Sequence, residues 1–294
     1  RVIETYNLEQ SHIQAYATAC SVSCDGVRIE LSTGDALLAA NVVLAIGAGS
    51  QPEWPTWAPQ ASPRVHHIFE DHFDGWPSER ETVAVVGGGI SGAQVALRLK
   101  KQGHHVHLIS RHALREHQFD SDPGWLGPKF MNGFERERNV ERRRAMISEA
   151  RHRGSVPPDV HRTLRRAIKR DELSWHQDVI ERVEMSNDGL TLQLGSGVCV
   201  DAQRLLLATG FTPQRPGGAL IDGLIASAAL PCAECGYPIV DYSLRWHPRV
   251  YVSGPLAELE LGPSSRNISG ARRAGDRLIE SILARRPITQ SVSA

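Results

Sequence analysis

Apolar residues change their spacing along this chain in a way that separates strands from helices. Residues 83–86 (Val83, Ala84, Val85, Val86) form an unbroken apolar run, the pattern of a strand covered on both faces, as in a parallel sheet. Three spaced glycines follow, then a predicted helix closed by Lys100, Lys101 and the C-capping Gly103, then a second strand over 106–110. Upstream, an extended stretch is expected over 13–23. Val27, Ile29 and Leu31 alternate with polar residues, residues 32–35 form a turn, and 42–46 reads as a buried strand ending at Gly47. A linker rich in Pro and Trp covers 51–63. Residues 135–170 read as a basic helical stretch, broken at 154–158, whose interleaved Glu135, Glu137, Glu141 and Glu149 suit i,i+4 pairing on a solvated surface. After Gly210 the chain is expected to be loop-rich up to a strand over 250–253. Gly262 and Pro263 then open a last helix, on which Ile268, Ala271, Gly275, Leu278, Ile279 and Ile282 recur at helical spacing and turn one face to the core.

The pattern repeats. An ungapped offset of 163 residues pairs Leu31 with Leu194, Gly34 with Gly197, Ala39 with Ala202, Leu44 with Leu207, Ala45 with Ala208, Gly47 with Gly210 and Gln51 with Gln214. Apolar character matches at Val27 and Leu190, Ile29 and Leu192, Val42 and Leu205, Val43 and Leu206. This is the mark of an internal duplication: a meander, then a strand ending in a small-residue turn, used twice. Two unrelated hairpins of similar composition are the alternative. The glycine-rich unit lies upstream of the second copy, and its equivalent for the first copy would lie before Arg1.

At 294 residues the chain suits one large or two medium domains. Boundaries are expected near 62 and 212, giving segments 1–62, 63–212 (with the basic helical insertion at 120–175) and 213–294. Lys plus Arg number 33 and Asp plus Glu 33, so no global field recruits nucleic acid or an anionic membrane. No apolar run reaches the roughly 18 residues of a membrane span. Five cysteines, too few for a disulfide scaffold and odd in number, fit a reducing compartment, with the cytoplasm as the default. The basic stretch carries Arg142, Arg143 and Arg144 in a row, but no aromatics for base stacking. No nucleic acid and no membrane are therefore expected as partners.

Gly87, Gly89 and Gly92 give G-x-G-x-x-G between a strand and a helix. The first glycine permits the tight turn, the second lets a pyrophosphate reach the backbone, and the third lets helix and strand pack closely. Ile90 and Ser91 open the helix, whose free N–H groups and dipole favour an anion. In NAD sites an acid at the end of the second strand bonds the ribose 2′-OH, whereas Arg accommodates a 2′-phosphate. Here that strand ends in Ser110 and Arg111, with Arg115 close behind. The expected cofactor at this loop is NADP, with ordinary surface charges as the alternative reading of the two arginines.

With the glycine loop, the duplicated strand-turn and the terminal strand and helix in view, the chain resembles flavoproteins with two dinucleotide-binding domains. Residues 42–47 and 205–210, ending in Gly47 and in Ala208, Thr209 and Gly210, look like that family's two A-T-G motifs. Val250 to Gly254, with Pro255, Leu256 and the following helix, looks like its closing FAD motif. Within the superfamily, Trp125-Leu-Gly-Pro-Lys129, the basic insertion and the stretch from Gly254 to Pro263 are most similar to the lysine and ornithine N-hydroxylase group. The resemblance implies an α/β fold: a Rossmann-like NAD(P)-binding domain inserted into an FAD-binding Rossmann-like domain that carries a β-meander and is truncated in these residues. It implies NADP and FAD as cofactors and hydride transfer from NADPH to flavin. The reduced flavin would activate oxygen toward a small substrate such as an amine. The family's N-terminal FAD glycine motif is absent from these residues, so FAD binding by this chain alone stays open. The resemblance assigns no catalytic acid or base.

Two other readings stand beside this one. The chain could be a non-catalytic NADPH-binding protein that uses a degenerate flavin domain for interaction. Alternatively Cys232 and Cys235, a C-x-x-C pair, could reduce disulfides, although they lie in a Pro-bounded loop after the second A-T-G-like turn. His104, His105 and His107, or His66, His67 and His72, invite a metal reading. Only His105 and His107 share a strand face, with no carboxylate or thiol at ligand spacing, so no metal is expected. Nothing resembles a Ser-His-Asp signature.

Overall fold

The computed structural model describes residues 2–49 and 51–284. A short helix α1 (Val2–Thr5) precedes the antiparallel meander β1 (Ala17–Val22), β2 (Val27–Leu31) and β3 (Ala36–Ala39), and then β4 (Val42–Leu44). The chain continues through β5 (Val65–His67), β6 (Thr82–Val86), α2 (Ile90–Lys101), β7 (His105–Ser110) and the two-residue β8 (Arg115–Glu116). The basic region folds as α3 (Pro128–Arg136), α4 (Val140–Ala150), β9 (Ser155–Val156) and α5 (Pro158–Lys169). Next come β10 (Ser174–Gln177), the second meander β11 (Ile180–Met185), β12 (Leu190–Leu194) and β13 (Cys199–Ala202), and β14 (Arg204–Leu207). The last segment holds α6 (Gly218–Ala228), β15 (Arg245–His247), β16 (Val250–Val252), α7 (Glu258–Leu261) and α8 (Ile268–Leu283).

These elements form two compact units, one of residues 1–47, 134–144 and 214–294, the other of 48–133 and 145–213. The second unit is built on a parallel five-stranded sheet in the order β10-β7-β6-β14-β5. Strand alternation divides the apolar run of β6 between two cores: Val83 and Val85 pack with Ala93, Ala96, Leu99 and Leu164 on the helical face, and Ala84 and Val86 pack with Leu192, Leu194 and Val200 on the meander face. A strand covered on both sides must be apolar throughout, which is why the unbroken run marks it. This is the doubly covered α/β arrangement in which a ligand crevice opens at the carboxyl ends of the strands.

In the first unit β15, β16 and β4 make a three-stranded sheet, with β16 and β4 parallel, beside the meander β1-β2-β3. Its core gathers Val27, Leu44, Ile221, Leu224, Trp246, Tyr251, Leu256 and Leu278.

The offset of 163 residues is a structural repeat. It carries the bounds of β1, β2 and β3 onto those of β11, β12 and β13. The pairing irregularity between Ala17 and Ala19 recurs between Ile180 and Arg182, and Gly47 and Gly210 both take positive φ, +67° and +86°. One difference separates the copies. Strand β14 pairs on both sides and Leu206 is buried, whereas β4 pairs only with β16 among the described residues and Val43 is 42% exposed.

Three local expectations need correction. Residues 211–249 are not all loop, because α6 occupies Gly218–Ala228; Leu220, Ile221, Leu224, Ile225 and Ala228 give it a helical stripe that packs into the core. The last helix does not open at Pro263. Residues Pro263–Arg266 form a 3₁₀ turn, and α8 starts after Asn267, whose side chain accepts from the Gly270 N–H at 3.1 Å. Its buried face is Gly270, Ala274, Arg277 and Leu278, while Ile268 and Ile279 are 89% and 58% exposed. Finally, pairing within the basic helices is not the whole account, since Arg143 also bonds Glu260, Arg144 bonds Glu258 and Glu135 is reached by Arg277.

Candidate dinucleotide site

In the second unit the parallel strands deliver β6, β7, β14 and β5 to one edge of the sheet, and with them most of the residues singled out from the sequence. The three motif glycines have different physical reasons. A Cβ on Gly87 would lie 2.3 Å from the Ala208 carbonyl oxygen, and one on Gly92 would lie 2.1 Å from the Gly87 oxygen. Packing of strand, turn and helix therefore excludes a side chain at both. Gly89 is different: its backbone is extended (φ −91°, ψ −178°), and a Cβ would meet only Gly154, at 3.5 Å. No atom among the described residues forbids a side chain there.

Helix α2 begins with Gly89 as its N-cap and has no side-chain cap. Its first intrahelical bond runs from the Ala93 N–H to the Gly89 oxygen at 3.0 Å, so the N–H groups of Ile90, Ser91 and Gly92 precede the ladder. These are the donors, together with the positive end of the helix dipole, that suit an anion.

At the end of β7, Ser110 is buried and its hydroxyl is committed to the chain: it donates to the His112 carbonyl at 2.9 Å and accepts from the Trp175 indole at 3.0 Å. Arg111 and Arg115 are exposed. Arg115 lies in β8, which pairs in parallel with β9. The ribbon brings His117 against His152, the rings parallel at 3.8 Å, and His112 beneath Gly88 and Gly154. From the sequence Gly154 was only the start of a helix break and His112 carried no reading, because only the close approach of two distant segments brings them to the loop.

Below the glycine loop sits Ala208, its N–H bonded to the Val86 oxygen at 2.7 Å. Thr209 follows, and behind it His67, which is fully buried. The Phe69 N–H donates to His67 Nδ1 at 3.2 Å, which assigns the ring proton to Nε2. Nε2 donates to Thr209 Oγ1 at 3.2 Å, and Thr209 in turn donates to the Glu53 carbonyl. Burial, opposed by the Glu70 carboxylate and a backbone hydrogen bond with Gly210, pushes the His67 pKa down to about 4. The ring is therefore neutral at pH 7.

Gly47, Gly254, Pro255 and Leu256 belong to the first unit. Parallel pairing of Leu44 with Val252, and the Ser253 N–H bonded to the Leu44 oxygen at 3.0 Å, bring the ends of β4 and β16 together. After β16 the chain turns through a 3₁₀ segment, Gly254–Ala257, with Pro255 and Leu256 buried. The hydroxyls of Tyr251, in β16, and of Ser264 and Ser265, beyond that segment, are buried without a hydrogen-bond partner among the described residues. The same unit holds a buried carboxylate that the sequence did not mark: Glu258, between Arg144 and Arg266, with Arg266 also bonded to the Tyr237 hydroxyl at 3.1 Å. The alternating Glu-Leu-Glu-Leu of 258–261 was its only trace.

Cys232 precedes, and Cys235 lies within, a tight turn in which the Gly236 N–H bonds the Ala233 oxygen at 2.8 Å. Burial holds the Cys232 thiol above its ordinary pKa, against the pull of Arg215, the reverse of what activates a redox thiol. His107 Nδ1 lies 3.0 Å from His176 Nε2 on the neighbouring strand, and burial lowers both pKa values.

The fold is shared with solved flavoprotein structures. An ornithine N-hydroxylase from Kutzneria sp. 744, solved with reduced FAD, NADP⁺ and L-ornithine, matches with a TM-score of 0.76 at 22% identity, over 96% of this chain and 75% of that one. The ornithine hydroxylase PvdA of Pseudomonas aeruginosa matches with 0.75 at 18%, over 97% and 74%, and the bacillithiol disulfide reductase of Bacillus cereus with 0.64 at 15%, over 97% and 76%. By sequence, 165 residues are 30% identical to the tRNA 5-methylaminomethyl-2-thiouridine biosynthesis bifunctional protein MnmC of Burkholderia pseudomallei, covering 54% of this chain but only 24% of that relative's length. The family profile for pyridine nucleotide-disulphide oxidoreductases matches residues 2–152. With a Rossmann-like sheet, a glycine loop at its carboxyl edge and a profile covering just over half its length, the chain belongs to the pyridine nucleotide-disulphide oxidoreductase family.

Proposed function

We propose that this chain is an NADPH-dependent flavoprotein oxidoreductase of the monooxygenase kind. Gly89 is the observation that carries the nucleotide site. Gly87 and Gly92 are explained by packing, but a Cβ on Gly89 would make only ordinary contact with Gly154, at 3.5 Å, at a helix N-terminus, where the absence of a side chain serves an approaching pyrophosphate. Arg111 and Arg115 follow the strand end, where no acid stands, and would read a ribose 2′-phosphate. The loop residues Gly87, Gly89, Ile90, Ser91 and Gly92, with Ser110 shaping the strand end, would hold NADPH, and the turn at Ala208, Thr209 and Gly210 would form its floor.

The first unit fits the closing side of a flavin site. Its parallel strands end together at Gly47 and at Gly254, Pro255 and Leu256, and the same unit holds three buried hydroxyls without partners among the described residues. NADPH held at the glycine loop would supply a hydride, and FAD held at the ends of β4 and β16 would supply a hydride acceptor and oxygen activation toward a small nucleophile. An amine is the substrate class we favour, since the two hydroxylases sharing the fold are named for ornithine. The tRNA acted on by the MnmC relative's pathway is not the substrate class proposed for this chain, whose Lys and Arg balance its Asp and Glu. A disulfide-reducing role is disfavoured by the raised Cys232 thiol. We assign the protein to the cytoplasm, on its unpaired cysteines; no helix among the described residues is long and apolar enough to cross a membrane.

The test is direct. Protein mixed with FAD should show bound-flavin absorbance, consume NADPH in air, and prefer NADPH to NADH. Arg111→Ala should narrow that preference, with a loss of about 1–3 kcal/mol as for other charge-assisted phosphate contacts. Absence of both flavin binding and NADPH oxidation would sink the proposal.

A further inference from the structure

The floor of the glycine loop is held by a side chain that touches no ligand position. Gly87 and Gly92 both lie against Ala208, so the placement of Ala208 sets the shape of the loop. Its N–H is tied to β6, while its continuation, Thr209, leaves the sheet and is fixed through its hydroxyl. That hydroxyl accepts from His67 and donates to the carbonyl of Glu53, in the segment before β5. One residue thereby ties β5, β14 and the 51–54 segment at the edge where the loop opens. The donation commits the Thr209 proton, so Thr209 serves the site through the backbone turn.

The His67 ring is itself held on every side. Trp54 and Phe69 lie tilted against it with centroids at 6.0 and 5.9 Å, and Phe69 stacks on Phe211 at 4.9 Å. Pro52 and Phe211 form an isolated bridge, and the Glu53 N–H bonds the Gly210 oxygen at 2.9 Å. Burial of an imidazole with both nitrogens paired, in a shell of aromatic rings, directs its Nε2–H at the turn of Thr209 and Gly210. A histidine meeting only packing needs would not require that alignment.

We propose that His67 is a positioning residue for the NADPH site, fixing the Thr209 hydroxyl so that the Ala208 turn holds the glycine loop in its nucleotide-accepting shape. This rests on the reading of the loop as an NADPH site. The experiment measures NADPH affinity by fluorescence titration, and the urea unfolding midpoint in parallel, for Thr209→Val, Thr209→Ser, His67→Phe and the double variant Thr209→Val/His67→Phe.

The proposal expects Thr209→Val and His67→Phe each to weaken NADPH by roughly three- to tenfold, the scale of one net hydrogen bond. The double variant should lose no more than one of them, because both break the same link. Thr209→Ser, which keeps the hydroxyl, should recover affinity to within about twofold. Unchanged affinity in Thr209→Val with a lowered unfolding midpoint would overturn the proposal and leave a purely structural contact. So would equal losses in the Val and Ser variants. If His67→Phe fails to fold, the Val and Ser pair decides alone. A wild-type chain that binds no NADPH overturns the functional reading and this one with it, whereas a wild type that binds, with indifferent variants, overturns only this one.

Discussion

At the scale of single residues, two positions carry predictions that separate packing from binding. Alanine at Gly92 puts a methyl group 2.1 Å from a backbone oxygen, and overpacking against backbone costs about 1–3 kcal/mol. Alanine at Gly89 meets ordinary contact only and should leave the urea midpoint near wild type. NADPH affinity should nevertheless fall at least tenfold in Gly89→Ala, measured by titration, because the methyl occupies the phosphate's approach. His67 adds a pH dependence. Its folded pKa is about 4 against an ordinary 6.5, so between those values the unfolded chain binds the proton more readily. The contribution is present in full above pH 6.5 and is lost as pH falls toward 4, to a total of about 3 kcal/mol. His107 and His176 shift in the same direction. Urea midpoints at pH 7.5 and 5 should therefore diverge in the wild type and diverge less in His67→Phe; equal divergence would remove His67 from the account.

At the scale of elements, what could be read from the sequence was what local sterics and two-sided burial dictate. The strand Val83, Ala84, Val85, Val86, its glycine turn and α2 were legible because covering both faces of a strand admits apolar residues only, and a tight turn under a carbonyl admits glycine only. Helix α6 was not, since Pro216, Gly217, Gly218, Gly223 and Ser227 mask a stripe at 220, 221, 224, 225 and 228. The face of α8 was misread because Ile268 and Ile279 look like core residues while Arg277 is the buried one. Arg277 is buried because Glu260 and Glu135 pair with it and Tyr242 lies against its guanidinium at 4.0 Å. Such partners are distant in sequence, and no local spacing announces them.

The same holds for α7, where a prediction follows. Glu258 is fully buried between Arg144 and Arg266. Burial works against the Arg144 charge, but Glu258 and Tyr237 outweigh it and hold that guanidinium above its ordinary pKa. Removing one partner of a buried ion pair costs about 3–5 kcal/mol, because the other charge stays buried. Glu258→Gln should therefore lower stability by that order in urea unfolding. Glu30→Gln, which breaks the exposed pair with Arg28, should change it by less than about 0.5 kcal/mol. Similar losses in the two variants would mean that solvent reaches the Glu258 cluster.

At the scale of the whole molecule, the repeat is the organising fact, and it was legible from identities alone while its closeness was not. Strand bounds and the position of the bulge recur at one offset, and so does a contact. A Cβ on Gly26 would lie 2.7 Å from the Ala39 oxygen, and one on Gly189 would lie 2.5 Å from the Ala202 oxygen. Each glycine starts the return of a meander beneath the backbone of its third strand, so the requirement comes from the strand crossing and not from sequence context. Gly34 and Gly197 are the control. Both have space around a Cβ but take φ of +90° and +87°, where a side chain costs about 1 kcal/mol from backbone strain alone. Alanine at Gly26 and at Gly189 should each destabilise by about 1–3 kcal/mol, and alanine at Gly34 and Gly197 by about 1 kcal/mol each. Matching costs across the two meanders would make the duplication energetic as well as geometric. A cost at Gly189 with none at Gly26 would mean that the first meander has relaxed away from its twin, and that the shared bounds outlived the shared constraint.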